Sequence, residues 1–137
     1  MIIAINARTL MAVPRDGIGW FTLEVVRGMI RNHPEHRFVL IGDRRYDGRR
    51  AKPFRHDPES PAAGKKKYKG FPVEGRNVEY VTMPLRTVHP FLWHVWHEFL
   101  LPPVLKRISA DVFIAPDGMI PLRTDVPCIP VIHDLNH

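Results

Sequence analysis

Two short apolar runs near the start of this chain are separated by a segment with helical periodicity. Residues 1–7 and Arg37–Gly42 are rich in β-branched side chains, which is typical of strands buried on both faces. Between them, Gly17–Asn32 has the spacing of a helix, and Asp16 is placed to cap its first turn. Its predicted buried stripe comprises Ile18, Phe21, Val25 and Met29. The crossover is long enough to join two parallel strands.

Three further strands are predicted in the rest of the chain, at residues 77–83, 111–115 and 128–132. Pro130 lies within the last of them and cannot donate to a central ladder. Because strands alternate with helices, the pattern predicts an α/β fold, a Rossmann-like doubly wound parallel sheet.

A second helix is predicted over residues 90–101, before the pair Pro102 and Pro103. Proline removes a backbone donor and clashes with the preceding turn, so we expect the pair to break or kink the helix. A short helical piece at 103–108 is expected to follow. The predicted apolar face of the first piece comprises Leu92, Val95, Trp96 and Phe99.

The net charge of +6 resides in one segment, residues 43–76, which has eleven Lys or Arg and five acidic residues. This segment has no sustained period and is rich in Gly and Pro, so it predicts a long basic loop, mobile at least around residues 64–70. It carries no recognisable nucleic-acid motif, and no nucleic-acid partner is expected. A solvated loop is the default, and weak attraction to an anionic membrane surface is the best functional alternative.

The remaining composition indicates a globular domain. The apolar stretches are too short and too interrupted for a transmembrane helix, and no basic segment precedes the first of them as in a signal peptide. The single Cys128 can form neither an internal disulfide nor a cysteine metal site. These features point to the cytoplasm, with peripheral contact with the inner membrane face as the option left open by the basic loop.

Candidate chemistry falls where the predicted strands end. Residues 6–19 follow the first strand, residues 116–118 follow the fourth, and His133 with Asp134 follows the fifth. Ligands of open parallel sheets bind at these carboxyl ends. Gly17 and Gly19 open a helix, where free backbone amides can bind an anion, although two glycines taken alone more often serve only turn geometry. For His133, a catalytic or orienting role and a hydrogen-bonded strand-end histidine remain equal alternatives.

No metal site is predicted. His94, His97 and Glu98 stand in the order H-x-x-H-E, whereas a metalloprotease helix needs H-E-x-x-H. An aromatic helix face with satisfied histidines accounts better for them. His133 and His137 are four residues apart, but no third ligand accompanies them.

As a set, five segments resemble the N-terminal half of glycosyltransferase family 4 enzymes, which build polysaccharides and glycolipids. They are IAINARTL, DGIGWFTLEVVRGM, HPFLWHVWHEFLLPPVLKR, ADVFIAPDG and PCIPVIHDL, in the order found in the family. The resemblance covers nearly all of the chain except residues 44–76. It implies a GT-B enzyme, a hexosyltransferase with two Rossmann-like domains, of which residues 1–137 would form part of the N-terminal, acceptor-side domain.

The resemblance also implies roles for single residues. Gly17 and Gly19 would lie against the diphosphate of a nucleotide-sugar donor, and His133 would lie near the transferred sugar, with Asp134 in support. Looser candidates for the cleft are Asp16 beside the donor, Arg8 and Asp117. The acceptor would be a glycan or a lipid-linked sugar. Such enzymes usually retain the anomeric configuration and need no bound metal or other cofactor.

The chain departs from the family pattern in two respects. It ends before the family's E-x7-E motif and nucleotide pocket, so we expect a truncated transferase that is inactive alone. The basic loop is also longer and more charged than is usual for the family. The alternative is a non-catalytic Rossmann-like binding module that docks an acidic partner through this loop.

Overall fold

The computed structural model describes residues 1–11, 16–43, 73, 75–85 and 89–134. Within these ranges the strands are β1 (Ile2–Asn6), β2 (Arg37–Gly42), β3 (Val78–Thr82), β4 (Val112–Ala115) and β5 (Cys128–Pro130). The helices are α1 (Gly17–Asn32), α2 (Pro90–Val95) and α3 (Leu101–Arg107), with a π-helical segment at Trp96–Leu100 and a short 3₁₀ turn at Thr9–Met11. Most of the basic loop predicted at 43–76 lies outside the described residues.

The five strands form one parallel sheet in the order β3-β2-β1-β4-β5. This confirms the predicted α/β fold with a parallel sheet. From β1 the chain first moves outward on one side, to β2 and β3, and then crosses back to place β4 on the other side. The strand order therefore reverses between β1 and β4, where an open α/β sheet forms a crevice at its carboxyl edge.

Each face of the sheet is covered by a different helical layer. Side chains alternate along a strand, so Ile3 and Ile5 of β1 pack with Leu23 and Val26 of α1, while Ala4 faces the other layer. That second layer is built from the π-helical segment and α3, and its largest side chain is the fully buried Trp96. A sheet covered on both faces is what the continuous apolar strands predicted.

Helix α1 has the predicted bounds, but its predicted buried stripe is wrong at Phe21 and Val25, whereas Met29 packs against the core as predicted. Leu23 is fully buried and Val26 and Ile30 nearly so, whereas Phe21 and Val25 are about 40% exposed. Two neighbouring stripes of the helix both have apolar side chains at spacings of three and four. Periodicity cannot choose between them, and only the docking of the helix on the sheet decides which stripe is buried.

The corrected stripe predicts unequal effects of two alanine substitutions in α1. We expect Leu23→Ala to lower the free energy of unfolding by about 2–5 kcal/mol, because it leaves a cavity against β1 and β2. Phe21→Ala should cost less than about 1 kcal/mol, since its side chain is partly solvated. Urea denaturation of both variants measures the difference, and a larger loss for Phe21→Ala would restore the original stripe.

Pro102 and Pro103 do not end the second helix, but the regular α-helix is interrupted just before them. The chain stays helical from Pro90 to Arg107, with the π-helical segment between α2 and α3, and both prolines occupy the first turn of α3, where proline is tolerated. The preceding π turn joins the amide of Leu101 to the carbonyl of Trp96, five residues back.

This wide turn also changes which side chains are buried. Trp96, Leu101 and Leu105 pack on the sheet at spacings of five and four, whereas Phe99 is more than half exposed. A regular helical period therefore placed Phe99 on the wrong face.

The last strand is shorter than predicted, ending at Pro130 instead of residue 132. Its only partner among the described strands is β4, so Pro130 lies at an edge, where a missing donor is tolerated. Among the described residues, no helix has the length and apolarity needed to cross a membrane.

Candidate functional site

Three polar side chains meet where β1, β2 and β4 end. Asn6 is the last residue of β1, Asp43 directly follows β2, and Asp117 lies two residues beyond β4. Asn6 Nδ2 donates a hydrogen bond to Asp117 Oδ2 over 2.9 Å. This bond spans the gap between β1 and β4, so it lies at the point where the strand order reverses. The carboxyl edge of the sheet, where the sequence predicted a site, therefore carries polar side chains that are joined by a hydrogen bond.

Arg8 joins the two carboxylates. Its Nε lies 3.8 Å from Asp43 Oδ2, and its Nη1 lies 3.6 Å from Asp117 Oδ2. The side chains of Arg8, Asp43 and Asp117 are only 16%, 4% and 11% exposed, so these are largely desolvated ion pairs. The backbone amide of Arg8 also donates to Asn6 Oδ1 over 3.2 Å. The structure therefore brings together Arg8 and Asp117, the two looser cleft candidates, and adds Asp43 and Asn6.

Two tryptophans from the other helical layer cover the guanidinium. The Arg8 Cζ lies 5.2 Å from the ring centroid of Trp93 and 5.4 Å from that of Trp96. A cation over an aromatic face at such distances is attracted by the ring quadrupole, more strongly when water is excluded. The helical segment that carries the indoles thus holds Arg8 toward the carboxylates. We call Asn6, Arg8, Asp43, Asp117, Trp93 and Trp96 the arginine cluster.

His97 lies beside this cluster and is almost fully buried. Its Nδ1 is 3.0 Å from the carbonyl oxygen of Trp93, and because a carbonyl only accepts, Nδ1 carries the proton. Burial lowers the pKa of His97, against the opposing effects of the Trp93 carbonyl and the charge of Asp117. The imidazole is therefore held neutral, and its Nε2 has no hydrogen-bond partner in the described part of the chain. The expectation of a fully satisfied histidine is wrong for this nitrogen.

His133 lies at the same edge, three residues after β5, and is exposed. Its Nε2 is 2.6 Å from the carbonyl oxygen of Pro116, so Nε2 carries the proton and Nδ1 presents a lone pair. The imidazole also meets the ring of Phe21 edge-on, with centroids 4.9 Å apart. Asp134 follows it and is exposed as well. Since Phe21 belongs to the first turns of α1, His133 lies close to the start of that helix.

The start of α1 has its own carboxylate. Asp16 Oδ1 accepts a hydrogen bond from the amide of Gly19 over 2.7 Å, which confirms Asp16 as the N-cap. The helical ladder supplies no acceptor for the amides of Gly17 and Ile18. A Cβ built at Gly17 would meet no atom of the described residues within 4 Å. The carboxylate of Asp16 already accepts from the amide of Gly19, so a ligand phosphate would have to share that donor.

The two groups of residues are neighbours. Pro116, whose carbonyl holds His133, directly precedes Asp117, whose carboxylate binds Asn6 and Arg8. The start of α1, His133 and the arginine cluster thus form one edge of the domain. All residues predicted for the site (Arg8, Asp16, Gly17, Gly19, Asp117, His133 and Asp134) lie at this carboxyl edge or at the helix that starts from it.

Asn6 was included only as part of the candidate stretch 6–19, and four other contributors were missed as site residues from the sequence: Asp43, Trp93, Trp96 and His97. Asp43 carried a usable signal, since it directly follows a strand that is parallel to β1. The other three come from the layer on the opposite face of the sheet, and the approach of the two indoles to Arg8 depends on how that layer docks.

Comparisons with protein-family models, with curated proteins and with solved structures return no match to this chain.

Proposed function

We propose that this chain is the acceptor-side Rossmann-like domain of a GT-B glycosyltransferase. In the complete enzyme it would help to transfer a sugar from a nucleotide-sugar donor to a glycan or lipid-linked acceptor. One observation carries the proposal: His133 lies against Phe21 in the first turns of α1, so the imidazole lies beside the helix that Gly17 and Gly19 begin. These are the two elements that the resemblance to family 4 assigns to the transferred sugar and the diphosphate.

The chemistry of each element suits its proposed role. Backbone amides at a helix N-terminus attract negative charge, which develops on the diphosphate as the glycosidic bond to it breaks. His133 presents Nδ1 as an acceptor because the Pro116 carbonyl holds the proton on Nε2. It can therefore accept a hydrogen bond from a sugar hydroxyl. Asp134 would support it, and no metal ion or other cofactor is required by these roles.

The arginine cluster would line the carboxyl edge of the sheet beside His133 and the start of α1. Its two carboxylates share one guanidinium, so the formal charge of the three groups is negative. Carboxylate oxygens are strong acceptors for the hydroxyl groups that cover a sugar. In this proposal Asp117 links the cluster to the sugar position, since it adjoins the Pro116 carbonyl that orients His133.

The proposal can be tested on the chain itself by titrating ¹⁵N-labelled protein with UDP-glucose, GDP-mannose and inorganic pyrophosphate. We expect saturable amide shifts at Gly17, Ile18 and Gly19, and side-chain shifts of the His133 imidazole with the nucleotide-sugars only. Shifts that appear only with an acidic polymer such as heparin, and not at these residues, would favour the binding module. No shift at α1 at millimolar ligand contradicts the proposal.

A matching expectation concerns activity. The resemblance to family 4 assigns nucleotide binding to a second domain, so we expect no sugar transfer by residues 1–137 alone. Radiolabelled donor and a mixture of oligosaccharide and lipid-linked acceptors provide the assay. Detectable transfer by the purified chain would overturn the claim that a second domain is needed.

A further inference from the structure

We propose that His33, Glu35 and His36 form a binding site for a divalent transition metal of the zinc class, on the turn between α1 and β2. His33 is the C-cap of α1, and β2 begins at Arg37. The turn therefore lies at the amino edge of the sheet, opposite the candidate functional site. The proposal is independent of the transferase proposal.

The spacing of the three ligand atoms carries the inference. His33 Nδ1 lies 3.1 Å from Glu35 Oε1, and His36 Nε2 lies 3.6 Å from the same oxygen. All three atoms lie within 4.8 Å of one another. Ligands bound at about 2.0–2.1 Å in a tetrahedral zinc site stand about 3.3–3.4 Å apart. The two observed distances bracket that value, so a metal needs little rearrangement of this part of the site.

The imidazole rings of His33 and His36 are stacked. Their planes are within 10° of parallel, with centroids 5.6 Å apart. His36 can offer only Nε2, because its Nδ1 is buried and has no hydrogen-bond partner among the described residues. His33 offers Nδ1, which already points to Glu35 and would release its proton to solvent when a metal binds. One nitrogen from each ring therefore faces the carboxylate oxygen, which forms a set of two nitrogens and one oxygen.

Hydrogen bonds to the sheet hold the backbone of this turn. The amide of His36 donates to the carbonyl of His33 over 3.1 Å, and Asn77 Nδ2 donates to the carbonyl of His36 over 3.0 Å. Asn77 itself is tied to β2, since its carbonyl accepts from the amide of Phe38 over 2.8 Å. Ligands on a backbone fixed in this way lose less conformational freedom on binding a metal.

The electrostatics of the turn also suit a cation. The Glu35 carboxyl group lies between the two imidazoles and supplies the negatively charged ligand. The C-terminus of α1, which ends beside the trio, contributes the negative end of a helix dipole.

The ligand set selects the kind of metal. Imidazole nitrogens suit Zn²⁺, Co²⁺, Ni²⁺ and Cu²⁺, whereas Mg²⁺ and Ca²⁺ prefer oxygen ligands alone. Three protein ligands on an exposed turn leave at least one position for water. Such a site would clip the end of α1 to the start of β2, and we expect it to stabilise the folded state in proportion to metal concentration.

The test uses tag-free protein titrated with Zn²⁺ by calorimetry and with Co²⁺ by visible absorption. We expect saturable binding of one ion per chain, with the intense absorption bands of four-coordinate Co²⁺. Removal of groups that merely support metal ligands lowers affinity about 10–100-fold, so loss of a ligand in His33→Gln or His36→Gln should weaken binding at least about tenfold. The matched control is His94→Gln, because His94 is an exposed histidine outside the trio.

Thermal denaturation gives a second readout. Zn²⁺ should raise the Tm of the parent protein and of His94→Gln but not of the two trio variants, and Mg²⁺ should have no effect. Each variant is first compared with the parent by circular dichroism, so that a folding defect is recognised. The proposal is overturned if no ion saturates one site, or if the trio variants bind Zn²⁺ as tightly as the control.

Discussion

In the complete enzyme, His133→Ala is expected to lower the kcat of sugar transfer by about 100-fold or more. Removal of one preorganised group that stabilises transition-state charge typically costs about 10²–10³ in kcat. The structure orients the imidazole in advance, since the Pro116 carbonyl holds the proton on Nε2 and Phe21 packs against the ring. Alanine removes the Nδ1 acceptor and both of these contacts. Initial rates at saturating donor and acceptor measure the effect.

His133→Asn and His94→Ala are the controls for this prediction. The asparagine amide can still donate to the Pro116 carbonyl but has no imidazole, so it should lose nearly as much activity as alanine. His94 is exposed on α2 and belongs to neither group at the carboxyl edge, so its loss should leave kcat unchanged. Activity of His133→Ala within a few-fold of the parent would show that the proposed role is wrong.

The second prediction with a large effect concerns the contribution of the arginine cluster to the stability of the folded protein. We expect Arg8→Met to lower the free energy of unfolding by about 3 kcal/mol, because it removes the guanidinium that Asp43 and Asp117 share in a largely desolvated place. Methionine keeps much of the volume beside Trp93 and Trp96, so the loss reports charge more than packing. Urea denaturation at neutral pH measures it.

A double-mutant cycle separates the ion pair from other effects. Asp117→Asn keeps an oxygen that can accept from Asn6 but removes the charge that faces Arg8. For two residues in one network, we expect the cycle of Arg8→Met and Asp117→Asn to show a coupling free energy of about 1 kcal/mol or more. If the two losses simply add, Arg8 and Asp117 do not stabilise the fold as a pair.

The strand and helix types were predictable because each leaves a local pattern. Continuous β-branched runs predicted the central strands β1 and β2, and Asp16 before an apolar repeat predicted the start of α1. The location of the site followed from the same elements, since parallel strands end at one edge. Arg8, Asp117 and His133 could therefore be named as candidates without any knowledge of distances.

Contacts across layers were not predictable, since no local pattern records them. The choice between two apolar stripes of α1, the π turn before Pro102, and the approach of Trp93 and Trp96 to Arg8 all depend on how a helix docks on the sheet. A π turn shifts every later side chain around the helix axis, so an error at one residue moved Phe99 to the wrong face.

The proposed metal ligands show the same difference between what the local sequence predicts and what the tertiary structure decides. His33, Glu35 and His36 are neighbours in sequence, yet only the backbone of the turn decides which ring nitrogens face the carboxylate. Local patterning thus specified the order of the elements, the parallel sheet and the edge that carries the candidate chemistry. Docking of the layers decided which side chains are buried, which charges pair and which nitrogens remain available, because these depend on distances between segments far apart in the chain.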